Sequence, residues 1–71
     1  MQQIDGITVR LGDYFSADDR LNNRGGYSVY MWHPNEPGMT PIASCRSKTA
    51  ARRLCQRLRG EHQRLVWEAY T

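Results

Sequence analysis

The stretch from Ser47 to Gly60, SKTAARRLCQRLRG, constrains this chain more than any other. At roughly 100° per residue, Ala50, Ala51, Leu54 and Leu58 share an arc of about 100° on a helix. Lys48, Arg52 and Arg59 flank that stripe on one side, Arg53 and Arg57 on the other. Ser47 suits the N-cap, because its hydroxyl can accept from a free amide of the first turn. Gly60 suits the position just past the end, where the left-handed conformation carries no Cβ clash. Arg57 and Arg59 would then meet the negative end of the helix dipole, with Lys48 at the unfavourable end. The stripe is narrow and built from small residues, which predicts close packing on a sheet rather than in a bundle.

The remaining segments supply that sheet. In Ile4 to Leu11, Ile7, Val9 and Leu11 alternate with Thr8 and Arg10, the pattern of a half-buried strand. Gly12-Asp13 ends it. Ser16 to Gly26, SADDRLNNRGG, has little to bury except Leu21 and is rich in turn formers, so it is expected as a long loop. Gly26 to His33, GYSVYMWH, is β-branched and aromatic and stands as the strongest strand. HPNEPGMTP is a turn, and Thr40 to Arg46 returns as a strand, with Pro41 tolerable only at an edge or first residue.

The segment after Gly60 admits two readings. As a helix, Leu65 and Ala69 would extend the stripe, but Trp67 and Tyr70 would point into solvent. As a strand, Leu65, Trp67 and Ala69 share one face and Val66, Glu68 and Tyr70 the other. Residue type favours a strand over Arg64–Tyr70. The expected fold is α+β, in the order β-β-β-α with a possible last strand. A three- to four-stranded antiparallel sheet would pack on one basic amphipathic helix. Tyr27, Val29 and Met31 should join Ile7, Val9, Leu54 and Leu58 in the core. Tyr30, Trp32, Thr8 and Arg10 should lie on the face away from the helix.

The 71 residues are expected to form a single domain, small enough that a dimer or partner would help its stability. MQQIDG has no apolar core of a signal peptide, and no run approaches the length of a membrane span, so a cytoplasmic protein is the default. Cys45 and Cys55 are then expected as free thiols. The net charge of +3 is unevenly placed. Asp5, Asp13, Asp18, Asp19 and Glu36 outnumber the cations before Arg46, whereas Glu61 and Glu68 are the only acids after it.

His33, Cys45, Cys55 and His62 are metal-ligating types, but their spacings of 12, 10 and 7 match no compact zinc pattern. No metal or other cofactor is expected. Nothing marks a cysteine or histidine as activated, and the adjacent Asp18-Asp19 need not converge, so the reading is non-enzymatic. Two features remain. Arg46, Lys48, Arg52, Arg53, Arg57, Arg59 and Arg64 include no acid before Glu61, and guanidinium forks suit phosphate. Tyr30 and Trp32 offer stacking surfaces for unpaired bases, unless Val66, Trp67, Tyr70 or a second copy covers them.

A hairpin followed by a capped, alanine-bearing basic helix, GYSVYMWH…PIASCRSKTAARRL, resembles two kinds of three-stranded-sheet DNA-binding module. These are the amino-terminal modules of phage-type integrases and the AP2-like domains. The resemblance covers about residues 27–59 and implies strands that enter the major groove with basic side chains; this hairpin carries none before Arg46. The leading expectation is a nucleic-acid-binding protein, for DNA or RNA, using Arg46, Lys48, Arg52, Arg53, Arg57 and Arg59, with Tyr30 and Trp32 stacking. The alternative is a small protein-binding inhibitor or adaptor of the mobile-element type. It would set the same cations against an acidic surface, or form a homodimer through Tyr30, Trp32 and Trp67. No membrane partner is expected.

Overall fold

The computed structural model describes residues 2–70, without the side chains of Gln2, Ala69 and Tyr70. The fold is α+β, with five strands in two antiparallel sheets packed against one C-terminal helix. The chain runs β1 (Gln2–Ile4), β2 (Ile7–Val9), β3 (Tyr14–Leu21), β4 (Tyr27–Trp32), β5 (Thr40–Cys45) and α1 (Lys48–Tyr70). Strands β1 and β2 form a two-stranded hairpin, and β3-β4-β5 form an up-and-down sheet with β4 in the centre.

Three local expectations need correction. Ile4–Leu11 is not one strand: Asp5 and Gly6 turn the chain with φ of 51° and 80°, and Ile4 pairs with Ile7. Positive φ at both central residues is the tight-hairpin geometry that Asp-Gly favours. Ser16–Gly26 is not a loop, because Tyr14–Leu21 forms β3 along β4 in the register Phe15–Met31 and Ala17–Val29. Its aspartates are poor strand formers, but β3 is an edge strand, where charge is tolerated and discourages further pairing.

The third correction concerns α1. The helix does not stop at Gly60, and Arg64–Tyr70 is helical rather than a strand. A glycine inside a helix costs up to about 1 kcal/mol relative to alanine. Contacts beyond it sustain the helix: the His62 Nε2–H donates to the Arg10 carbonyl at 2.9 Å, and Leu65 packs against the core. Trp67 accordingly projects outward, 69% exposed, the very outcome that favoured a strand on paper. At the other end the capping expectation holds. Ser47 Oγ accepts from the Ala50 amide at 3.0 Å, and the Ser47 carbonyl accepts from Ala51 at 3.1 Å.

One cluster of Ile4, Val9, Phe15, Val29, Ala51, Cys55 and Leu58 forms the core, with Tyr27, Met31, Ile7 and Leu54 packed against it. The β1–β2 hairpin and the three-stranded sheet therefore share one core with the apolar stripe of the helix. Cys55 takes the stripe place expected of Ala50, which is exposed. Pro41 lies on the edge strand β5, opposite Tyr30 and beside a register irregularity, where its missing amide costs no ladder bond to a further strand.

Candidate nucleic-acid interface

The helix covers one face of the three-stranded sheet, and among the described residues no other element packs extensively on that sheet. Alternation along the strands sends Phe15, Ala17, Val29 and Met31 to the helix side and Tyr14, Ser16, Tyr30 and Trp32 to the other. At the strand ends, however, Tyr14 and Trp32 also border a depression shared with His62 and Val66 of the helix. Tyr30 and Trp32 are half-buried and lie on this outer face, as expected. Their neighbours differ from expectation. Thr8 and Arg10 belong to the β1–β2 hairpin and its exit, and their place is taken by Tyr14 and Ser16 of β3. Tyr14 stacks on Trp32 with centroids 5.4 Å apart and planes 17° from parallel, and remains 52% exposed.

The cations divide into those already engaged and those that are not. Arg52 pairs with Asp19 at 2.9 Å and Arg57 with Asp5 at 3.1 Å. Arg59 donates twice to the Phe15 carbonyl, from Nη2 at 2.7 Å and Nε at 3.2 Å, which ties α1 to β3. Lys48 sits 5.9 Å above the Tyr27 ring, an orientation that places its charge on the ring's negative face. Arg64 bridges Glu61 at 2.9 Å and Glu68 at 3.3 Å, and this pairing raises its pKa above the usual guanidinium value. Arg10 lies between Asp13 and Glu36; the Glu36 hydrogen bond at 2.7 Å raises the Arg10 pKa and lowers that of Glu36.

Among the described residues, Arg20, Arg24, Arg46 and Arg53 have neither an ion pair nor a side-chain hydrogen bond. Three of these share one end of the sheet. The register pairs Leu21 with Tyr27 and Tyr27 with Cys45, so Arg20, the turn residue Arg24 and Arg46 sit together there, next to Lys48. Charge composition alone singled out Arg46 and Arg53 but passed over Arg20 and Arg24, which counted as part of an acidic loop. The Asn-Asn-Arg-Gly-Gly run was the available signal, since it marks a tight turn at a strand end.

Asn22 holds that end rigid. Its Nδ2 donates to Ser28 Oγ and Ser44 Oγ, each at 3.0 Å, so it joins all three strands of the sheet. Its Oδ1 accepts from the amides of Arg24 at 2.8 Å and Gly26 at 3.0 Å. Every hydrogen-bonding group of the Asn22 amide is engaged. A side chain at Gly26 would run into Ser44 Oγ and the Cys45 carbonyl, so a glycine is needed for the strands to close up here. A shallow hollow of about 490 Å³ lies on the outer face beside this turn, lined by Arg24, Ser28, Tyr30, Pro41 and Ser44 among others.

Comparison with known protein families, with curated proteins and with solved structures returns no match. The sequence resemblance to integrase-type and AP2-like modules therefore gains no support from these comparisons. His33, Cys45, Cys55 and His62 are not gathered together. His33 Nε2–H donates to the Leu11 carbonyl, His62 bonds to Arg10, and both thiols belong to the core region. Among the described residues no three His, Cys, Asp or Glu side chains converge as a metal site. Among the described residues no helix is long and apolar enough to cross a membrane.

Proposed function

We propose that this protein binds nucleic acid without catalysing a reaction, using one end and the outer face of its three-stranded sheet. The observation that carries the reading is the grouping of Arg20, Arg24 and Arg46, free of acidic partners, at the edge of an uncovered face that bears Tyr30, Trp32 and Tyr14. Lys48 and Arg53 add charge from α1. Arg52 and Arg57 contribute less than a count of cations suggests, because Asp19 and Asp5 already neutralise them. Both pairs are solvent-exposed, so each adds little to stability while it offsets the charge of its arginine. Arg59 acts mainly as a structural tie.

Phosphate contacts release condensed counterions, so affinity should fall steeply with salt. Mobility-shift titration with random single- and double-stranded DNA and RNA at about 50 and about 200 mM salt tests this. Salt-independent binding would overturn the proposal. A complete absence of binding, together with concentration-dependent sedimentation, would instead favour an acidic protein partner or a second copy.

A further inference from the structure

A second depression lies at the opposite end of the sheet, between the turn after β2 and the C-terminal half of α1. It measures about 570 Å³, within the range of small-ligand sites, and the residues around it include Leu11, Tyr14, Trp32, Arg59, Gln63 and Val66. One wall is the stacked Tyr14–Trp32 pair. The opposite wall comes from the helix, where His62 is fixed by its bond to Arg10 and by edge-on contact with Phe15 at 5.7 Å.

We infer that this cleft holds one unpaired nucleobase of a single-stranded nucleic acid, laid against Tyr14 and Trp32, with its phosphate toward Arg59. The inference rests on the nucleic-acid reading above and adds the strandedness of the ligand. Two observations select such an occupant. Stacked on each other, Tyr14 and Trp32 leave an outer ring face on which a base can continue the stack irrespective of sequence. The charge that the lining presents is positive. Arg59 spends only Nε and Nη2 on Phe15 and keeps its other donors, whereas the one acid of the lining, Asp13, has a side chain just 1% exposed. Asp13 Oδ2 accepts from the Arg10 amide at 2.7 Å, while its buried Oδ1 has no hydrogen-bond partner and faces the Arg10 guanidinium at 3.8 Å.

The cleft also suits the rest of the surface. Strand β4 spans six residues between the Arg24 end and Trp32, about 17 Å at 3.3 Å per residue. A strand laid along the outer face would thus meet cations at one end, Tyr30 midway and the cleft at the other. A duplex keeps its bases stacked on one another and cannot place one there without unpairing it.

The test uses labelled thymine oligonucleotides of about twelve nucleotides and a random duplex of equal length, with affinity read by fluorescence anisotropy. Tyr14→Ala should weaken the single strand about tenfold and leave the duplex within about twofold. Tyr14 is half exposed, so its truncation leaves the core intact. Val66→Glu, which sets a carboxylate in the cleft, should give the same selective loss. In a Trp67→Phe background Trp32 is the sole indole, and its emission should be quenched as the single strand saturates. If both cleft variants bind the single strand like the parent while Arg24→Gln with Arg46→Gln weakens it, the cleft is not the site and the broader reading stands. Equal losses for single strand and duplex also overturn the inference. Failure of every oligonucleotide to bind at low salt overturns both.

Discussion

The two ends of the three-stranded sheet carry similar numbers of cations and use them differently. At the end formed by the turns after β2 and β4, Arg10 lies between Asp13 and Glu36, and nearby on the helix Arg57 meets Asp5 and Arg64 meets Glu61 and Glu68. At the other end, the side chains of Arg20, Arg24 and Arg46 meet no acid among the described residues, although Asp18 and Asp19 are close in sequence. Asp18 instead accepts from the Arg20 amide, and Asp19 is drawn to Arg52. A net charge of +3 is thus a poor guide to where a polyanion would settle. What matters is which guanidinium groups the fold has left without a partner.

The largest expected effect comes from loosening the free end. Gly26→Ala forces a side chain against Ser44 and the Cys45 carbonyl, and overpacking of this kind costs about 1–3 kcal/mol. Urea denaturation should show the loss at the upper part of that range, because one of the two obstacles is backbone. Unchanged stability would mean that the Asn22 turn is soft, and the contrast between a rigid free end and a paired end would fail. Next in size is a matched charge experiment. Arg24→Gln with Arg46→Gln and Arg10→Gln with Arg57→Gln each remove two positive charges. The first pair should reduce the slope of log affinity against log salt by about 2, and the second should leave it nearly unchanged. Equal reductions would show that total charge, not its placement, controls binding.

The same contrast explains what could be read from the sequence. The first half of α1 was legible because its signals are local: a serine cap, and Ala51, Leu54 and Leu58 at helical spacing. Strands β4 and β5 were legible from their aromatic and β-branched content and the turn between them. Asp5-Gly6 was a readable hairpin signal, but the alternation of Ile7, Val9 and Leu11 beside it suggested one continuous strand. Strand β3 was not legible, since Asp18 and Asp19 argue against a strand and only pairing with β4 holds it. The site suffered the same limit. Tyr30, Trp32 and Arg46 sit on recognisable strands, whereas Tyr14, Arg20 and Arg24 acquire their places only once β3 exists. Pairings such as Asp19 with Arg52, or Asp5 with Arg57, join residues remote in sequence that no spacing rule connects.

Gly60 offers a smaller and opposite effect. Its position is exposed, and an added Cβ would meet nothing within 4 Å. Gly60→Ala should therefore stabilise the protein by about 0.5–1 kcal/mol, by restricting the unfolded chain and favouring the helix. Thermal melting with a raised midpoint is the expected result. Because α1 joins the two ends, the same variant should leave binding at the free end unaltered. A lowered midpoint would mean that the helix is interrupted at Gly60, and the cleft would lose its helical wall.

The smallest effect tests whether Arg10 is truly occupied. The hydrogen bond from Arg10 Nη1 to Glu36, with their Coulomb attraction, lowers the folded-state pKa of Glu36 below the usual carboxylate range. A carboxylate with a depressed folded pKa adds stability above its unfolded pKa, and that contribution disappears as pH falls through the folded value. The parent should therefore exceed Arg10→Gln in stability near neutral pH, and the part of the difference due to this pair should fade on acidification through the carboxylate range. In an NMR titration the Glu36 midpoint should rise in Arg10→Gln, and should also rise in the parent at high salt, because an exposed pair is screened. A Glu36 midpoint indifferent to both changes would mean that Arg10 is not held by Glu36. Arg10 would then keep only its 3.8 Å approach to Asp13, and the distinction between the two ends would rest mainly on Arg57 and Arg64.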